Sequence, residues 1–265
     1  TWTQSTANSQ WAARGFHTSV VFDSKMWVIG GVAATNACPG GITRCNDVWY
    51  SNLNTGTFTV PTVSPEIRGG IDSFGGYTTA SSTEYPPSIK DDPDPVNAGS
   101  NITFTVWWDD DLYWPNGVAA GTNWTQSTAN SQWVGRQAHT SLVFGSKMWV
   151  IGGWDGTTRR NDVWYSTAGI TWTQATANAQ WANREGLTSL VFNNQMWVMG
   201  GASSSTPFND VWYSTSGSSW TQSTVQAQWA ARSSHTSLVF DSKMWVIGGT
   251  TGTRQNDVWY SSNGI

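Results

Sequence analysis

Five arginines recur at one place in a repeated phrase: Arg14, Arg68, Arg136, Arg184 and Arg232. A planar guanidinium holds a carboxylate through two parallel hydrogen bonds, so five of them around one channel would make an anion-binding ring. Their presence in every unit favours a structural role instead, each side chain bonding carbonyls between neighbouring units. The less regular residues nearby are better ligand candidates. Phe16, Gln137, Trp154, Arg159, Arg160, Glu185, Phe208, Ser234 and Arg254 set aromatic rings beside polar and cationic groups, as recognition of a sugar or peptide requires.

Cys38 and Cys45 are the two cysteines of the chain. They are spaced to close a small loop disulfide, and no further Cys or His stands near enough to make a metal set. With few lysines and many Thr, Ser and Trp, the pair points to an oxidising, extracellular or cell-surface setting. His17, His139 and His235 share one repeat position with Leu187, so that position reads as a buried strand start and not as a metal ligand. Acidic residues gather at Asp91, Asp92, Asp94 and again at Asp109, Asp110 and Asp111, without the ligand spacing of a Ca²⁺ loop. A solvated turn is the simpler reading, and no cofactor is expected. Glu66, Asp72, Glu84 and Glu185 are the carboxylates a hydrolase could pair, but nothing in the sequence sets them at a working separation. There is no Gly-x-Ser-x-Gly, His-Glu-x-x-His or phosphate-cradling loop, so no catalytic residue is assigned. Asn101-Ile-Thr and Asn123-Trp-Thr are glycosylation sequons, meaningful in a eukaryotic secretory host.

What positions these groups is a β scaffold. The chain has 265 residues, a net charge of −4 and only 11% charged side chains. Mild acidity without a basic stripe argues against a nucleic-acid partner. No run approaches the apolar length of a membrane-spanning helix. Thr1-Trp2-Thr3-Gln4 carries no basic and apolar leader. Aromatic residues are 14% and Trp alone numbers 20, which demands a large packed interior.

The phrase Trp124-Thr-Gln-Ser-Thr-Ala-Asn-Ser-Gln-Trp133 returns at 172–181 and 220–229, and opens the chain at 2–11. Each copy runs on through Arg, two varied residues, usually His-Thr-Ser, and a Val-Phe strand. Then follow Met-Trp-Val-Ile-Gly-Gly, a varied loop and Asn-Asp-Val-Trp-Tyr-Ser. Short runs rich in Val, Trp, Phe and Thr, broken by Gly, Asn, Ser and Asp, predict four strands per unit. Such a meander cannot bury both faces alone, and stacked units cover each other as the blades of a β-propeller. The paired glycines let the chain leave a crowded strand at backbone angles closed to other residues.

On these motifs the chain resembles the kelch repeat, and most closely the Trp-rich variant of secreted microbial kelch proteins. The match covers 1–51 and 124–265. The expected fold is therefore an all-β, kelch-type propeller forming a single domain over 1–265. Its ring is closed, as the resemblance implies, by the N-terminal strand joining the last blade; the two ends joined read Asn-Gly-Ile-Thr-Trp-Thr-Gln, whose last six residues recur internally at 169–174. The interval between Trp2 and Trp124 is one repeat longer than the others, with extra residues. Gly56-Thr-Phe58, Arg68-Gly-Gly, Gly75-Gly76 and Asp111-Leu-Tyr-Trp114 look like degenerate landmarks. Five blades are expected, the second divergent and carrying an insertion over 61–117. The alternative is an inserted mini-domain in a four-bladed ring.

Loops joining the first to second and third to fourth strands are nearly constant between copies. Those joining the second to third strands, at 32–45, 154–160, 202–208 and 250–255, differ strongly, as do the two residues after each repeated Arg. Strand alternation places both variable sets on one face, and in kelch propellers the equivalent loops bind partners, as the resemblance implies. The favoured function is a secreted, non-catalytic module that binds a protein or glycan through this face. Rival readings are a sugar mutarotase-like enzyme and a self-assembling extracellular repeat module. The copper-oxidase ligand set of some kelch-like propellers is not visible.

Overall fold

A computed structural model describes residues 4–34, 37–39, 41–52, 58–59, 103–104 and 123–265. By contacts the chain divides into two compact units, Thr1–Asn54 with Val118–Ile265, and Thr55–Gly117. The first carries the repeats. Its opening strands are β1 (Arg14–Gly15), β2 (Thr18–Phe22), β3 (Lys25–Ala33) and β4 (Arg44–Asn52). In the second unit, β5 (Phe58–Thr59) pairs antiparallel with β6 (Thr103–Phe104). The first unit resumes at β7 (Thr125–Thr128), and its second blade continues with β8 (Thr140–Phe144), β9 (Lys147–Trp154), β10 (Arg159–Ser166) and β11 (Thr173–Thr176). Next are β12 (Thr188–Phe192), β13 (Gln195–Met199), β14 (Val211–Ser214) and β15 (Thr221–Thr224). The last are β16 (Thr236–Phe240), β17 (Lys243–Ile247) and β18 (Val258–Ser261).

Among the described residues these make four antiparallel blades and no helix. The decisive pairing is β4 with β7, Val48 opposite Thr128 and Tyr50 opposite Thr125. Trp124-Thr-Gln therefore ends the first blade, not a second, divergent one. The expectation of five blades is corrected to four, because the long interval sits between the third and fourth strands of one blade. The landmarks assigned to a divergent blade over 61–117 lie outside the described residues.

Each blade begins with a two-residue hairpin. Asp23-Ser24, Gly145-Ser146, Asn193-Asn194 and Asp241-Ser242 all have positive φ at both positions, near +50°. That is the type I′ geometry whose twist matches paired strands, and Asn, Asp and Gly tolerate it best. The paired glycines also sit at positive φ. A Cβ on Gly153 would stand 2.7 Å from the Cβ of His139, so the second strand can leave the blade only past a residue without a side chain.

The core lies between blades. Trp27, Ile29 and Val48 of the first blade meet Trp133, Met148, Val150 and Trp172 of the second. Leu142, Trp149 and Ile151 repeat that role against Trp181, Met196, Val198 and Trp220. Leu190, Trp197 and Met199 do so against Trp229, Met244 and Val246. The turn glycine of the following blade, Gly169, Gly217 or Gly264, lies flat against Trp27, Trp149 or Trp197. Strand alternation explains the sorting: Leu and Phe of each first strand face the next blade, and Met and Val of each second strand face the previous one.

Blade 4 departs from the others. Its sheet has three strands among the described residues, and β18 carries no fourth partner. Trp2 and Thr3 of the expected closing strand lie outside the described residues, while Gln4–6 adopt no strand. The expected ring closure thus falls outside the described residues; on β16 and β18, Leu238, Phe240, Val258 and Tyr260 are exposed.

Candidate functional site

The repeated arginines are buried and committed. Arg136 donates through Nη1 and Nη2 to both carboxylate oxygens of Asp162 at 2.6 and 2.9 Å, and through Nη1 to the Gly152 carbonyl at 2.9 Å. Arg14 holds Asp47, Arg184 holds Asp210 and Arg232 holds Asp257 with the same two-pronged geometry. The Trp two residues beyond each Asp donates its indole N–H to the same carboxylate. Both partners belong to one blade, which corrects the expectation that each Arg bonds carbonyls between blades. The reason is the chain path: the Gly-Gly exit brings the Asn-Asp strand back beside its own Arg. Arg68, the fifth member of the expected ring, lies outside the described residues. For Asp162, burial works against the charge, but the Arg136 fork more than offsets it and holds the carboxyl below its ordinary range.

The histidine position links blades. Thr18 Oγ1 and His139 Nε2 share a hydrogen bond at 2.9 Å, and Thr188 with His235 repeats it at 2.8 Å. Where Leu187 replaces His, Thr140 bonds Ser189 instead, at 2.7 Å. Burial first, and the nearby Arg136, push His139 down to about 3; burial and Arg232 push His235 down to about 4. Both rings are therefore neutral at pH 7. Among the described residues no group of three or more His, Cys, Asp or Glu could hold a metal.

The two variable sets share one edge of the blades. Gln137 exchanges both backbone hydrogen bonds with Trp154, and Glu185 does the same with Ala202. A second ladder crosses from blade to blade: Ala138 N–H donates to the Phe16 carbonyl, Gly186 to Ala138 and Ser234 to Gly186. On this edge Trp154 lies between two cations, with the Arg44 guanidinium 4.3 Å from its ring centroid and Arg159 at 5.5 Å. Arg159 crosses to the next blade and donates to Glu185 Oε1 at 2.7 Å. Arg160 pairs with Asp155, whose carboxylate also accepts from Thr157 and Thr158. Burial opposes the Asp155 charge, yet these bonds hold its carboxyl far below the usual range. An open cleft of about 410 Å³ lies beside this cluster, lined by 41–44, Val134, Gly135 and Asp155.

The other candidates divide. Phe208 is half-buried under the Arg184 guanidinium, 4.2 Å from it, and so covers the buried ion pair. Ser234 and Arg254 are exposed, and Phe16 is 66% exposed. Phe16 has φ +53°, in the left-handed region, where the matching residues are Ala138, Gly186 and Ser234. Arg44 and Asp155 were not singled out from sequence. Arg44 could have been: it precedes Cys45-Asn-Asp as Arg159 precedes Arg160-Asn-Asp and Arg254 precedes Gln255-Asn-Asp. Cys38 and Cys45 are joined in a disulfide, which pins the 38–45 loop carrying Arg44.

Glu66, Asp72 and Glu84 lie outside the described residues, and so do the acidic runs at 91–94 and 109–111.

Residues 108–262 match the family model described as the KLHDC2/KLHL20/DRC7 Kelch-repeats domain. The leucine-zipper-like transcriptional regulator 1 homolog of Drosophila melanogaster is 29% identical over 186 residues, 61% of this chain and 16% of that protein. The chain thus spans about one sixth of that relative's length. Four antiparallel blades, the Gly-Gly exits, the buried Arg–Asp forks and a family model covering more than half of the residues agree: the chain belongs to the kelch-repeat family.

Proposed function

We propose that this kelch propeller is a non-catalytic module that binds a protein partner on its variable loop edge. Kelch propellers generally bind protein partners. The observation that carries the reading is Phe16. A bulky aromatic held at left-handed φ costs roughly 1 kcal/mol or more, and such strain concentrates at functional positions. Here it turns an apolar ring out to solvent, between the variable loops, where the other blades carry Ala, Gly and Ser. Arg44 and Arg254 flank that edge as cations for a partner's acidic side chains. Glu185, the carboxylate a catalytic reading would use, is occupied by Arg159. The Cys38–Cys45 bond supports an oxidising, extracellular setting for the encounter.

The test is cross-linked capture from the source's surface fraction, with glycosidase-treated material alongside. Wild type should enrich a discrete protein set, and Phe16→Gly should lose it while keeping the circular dichroism of the blades. An unchanged set with Phe16→Gly would sink the reading. Loss of capture after glycosidase treatment would make the ligand a glycan.

A further inference from the structure

We propose that the cleft between the 41–44 loop and blade 2 takes an acidic side chain of the partner, whose carboxylate Arg44 binds where this chain supplies none. The proposal rests on the reading of this edge as a protein-binding surface and names the group that the surface selects. One repeat position carries it. Arg44 and Arg159 each open a third strand, two residues before Asn-Asp, and each guanidinium reaches forward onto the following blade. Arg159 finds a carboxylate there: its Nε and Nη2 donate to Glu185 Oε1 at 3.1 and 2.7 Å. Glu185 directly follows a repeated Arg, and at that position blade 2 carries the neutral Gln137. Among the described residues no carboxylate pairs with Arg44.

Its hydrogen bonds are also open. In Arg14, Arg136, Arg159, Arg160, Arg184 and Arg232 the Nε–H donates to a carbonyl or a carboxylate. In Arg44 the Nε is buried with no acceptor among the described residues. A buried donor on a charged group is costly until an acceptor arrives. Stacking on Trp154 at 4.3 Å occupies the face of the guanidinium and leaves its N–H edges, in plane, for a carboxylate. Asp155 lines the same cleft but is already engaged: Oδ1 accepts from Thr157 and Thr158, and Oδ2 from Arg160.

The seat of Arg44 is particular to this pair of blades. A Cβ on Gly135 would stand 2.0 Å from the Arg44 carbonyl oxygen, and the other blades carry Ala13, Asn183 and Ala231 at that position. A Cβ on Gly156 would stand 2.6 Å from Arg44 Nη1, whereas its counterpart Gly252 has nothing within 4 Å. Two missing side chains thus admit the loop, and the Cys38–Cys45 bond anchors it. Ile42 and Val134, both exposed, wall the cleft. Aliphatic walls beside one cation suit a Glu or Asp flanked by apolar side chains. The Trp154 ring is taken up by Arg44 and Arg159, so it is not free to stack on a sugar, which favours a polypeptide over a glycan.

Binding of the full chain to an array of short random peptides tests this, with both peptide ends blocked so that side chains supply every carboxylate. Wild type should prefer peptides with Glu or Asp among aliphatic residues by about tenfold over their Gln or Asn counterparts. Arg44→Ala should erase that preference. Gln137→Glu, which supplies the missing acid from within, should erase it too and raise the urea midpoint. Unchanged circular dichroism confirms the fold of each variant. Binding without an acidic preference, or a preference that survives Arg44→Ala, overturns the proposal. Loss of binding in Phe16→Gly, with Arg44→Ala matching wild type, leaves the protein-binding reading standing and overturns this one. Selection of no peptide also overturns it, and retention of a uronate oligosaccharide by wild type but not by Arg44→Ala would then make the ligand a glycan.

Discussion

At the scale of single residues, the buried Arg–Asp forks carry most consequence. Arg136, Arg184 and Arg232 are wholly buried, and each guanidinium depends on one carboxylate. Replacing Asp162 by Ala leaves the Arg136 charge in the interior without its partner. The expected loss is about 3–5 kcal/mol, read as a shift in the urea midpoint. Phe16 behaves oppositely. Phe16→Gly removes a strained ring from an exposed position, so the variant should be more stable by about 0.5–1 kcal/mol while losing its partner. The arginines were legible from their regular recurrence. Their partners were not, although every Asp stands in an equally regular Asn-Asp-Val-Trp phrase. Regularity marks both residues as structural, but only the folded path of the second strand brings them together.

At the scale of the blade, histidine makes the junctions sensitive to acid. His139 and His235 have folded pKa values near 3 and 4, well below the ordinary 6.5. The unfolded chain therefore binds more protons between pH 6.5 and about 4. Stability is complete above pH 6.5 and falls as the pH drops through that window. At pH 5 each histidine contributes a loss of about 2 kcal/mol, measurable by urea denaturation at pH 7 and pH 5. His139→Leu, which copies the Leu187 junction, should remove about half of that drop. Equal pH slopes in wild type and variant would contradict this account. The disulfide acts on a smaller element. Closing so short a loop is worth about 2–3 kcal/mol in the chain-entropy picture, so reductant should lower the urea midpoint accordingly.

At the scale of the molecule, the sequence revealed the blade and miscounted the blades. Each blade touches only its neighbours, so its phrase is complete within one period and can be read locally. The interval between Trp2 and Trp124 has no such local signature. Its length equals a repeat plus extra residues, and arithmetic cannot separate a diverged blade from an insertion within one. The pairing of Tyr50 with Thr125 separates them at once. Likewise the two chain ends read as a continuous phrase, and the residues that would join them, 1–3, lie outside the described residues. Because the repeats and Thr55–Gly117 form separate compact units, replacing 53–122 by the turn residues copied from 168–170 should leave the four-bladed unit folded. Its thermal midpoint should stay within a few degrees of the parent's repeat unit, and a chain unfolded at 25 °C would refute that independence.

The same pairing has a consequence for how the chain is made. In the second and third blades, the fourth strand leaves the ribosome a handful of residues after the third. In the first, everything from 53 to 124 must be synthesised before β7 can cover β4. At roughly 5–20 residues per second this is about 4–15 s of delay. Throughout it, a nine-residue edge bearing Val48, Trp49 and Tyr50 stands open to any other nascent strand. The earliest blade to emerge is thus the one whose fourth strand follows its third after the longest interval, and its unfinished edge is the point in biosynthesis where a chaperone has most to protect.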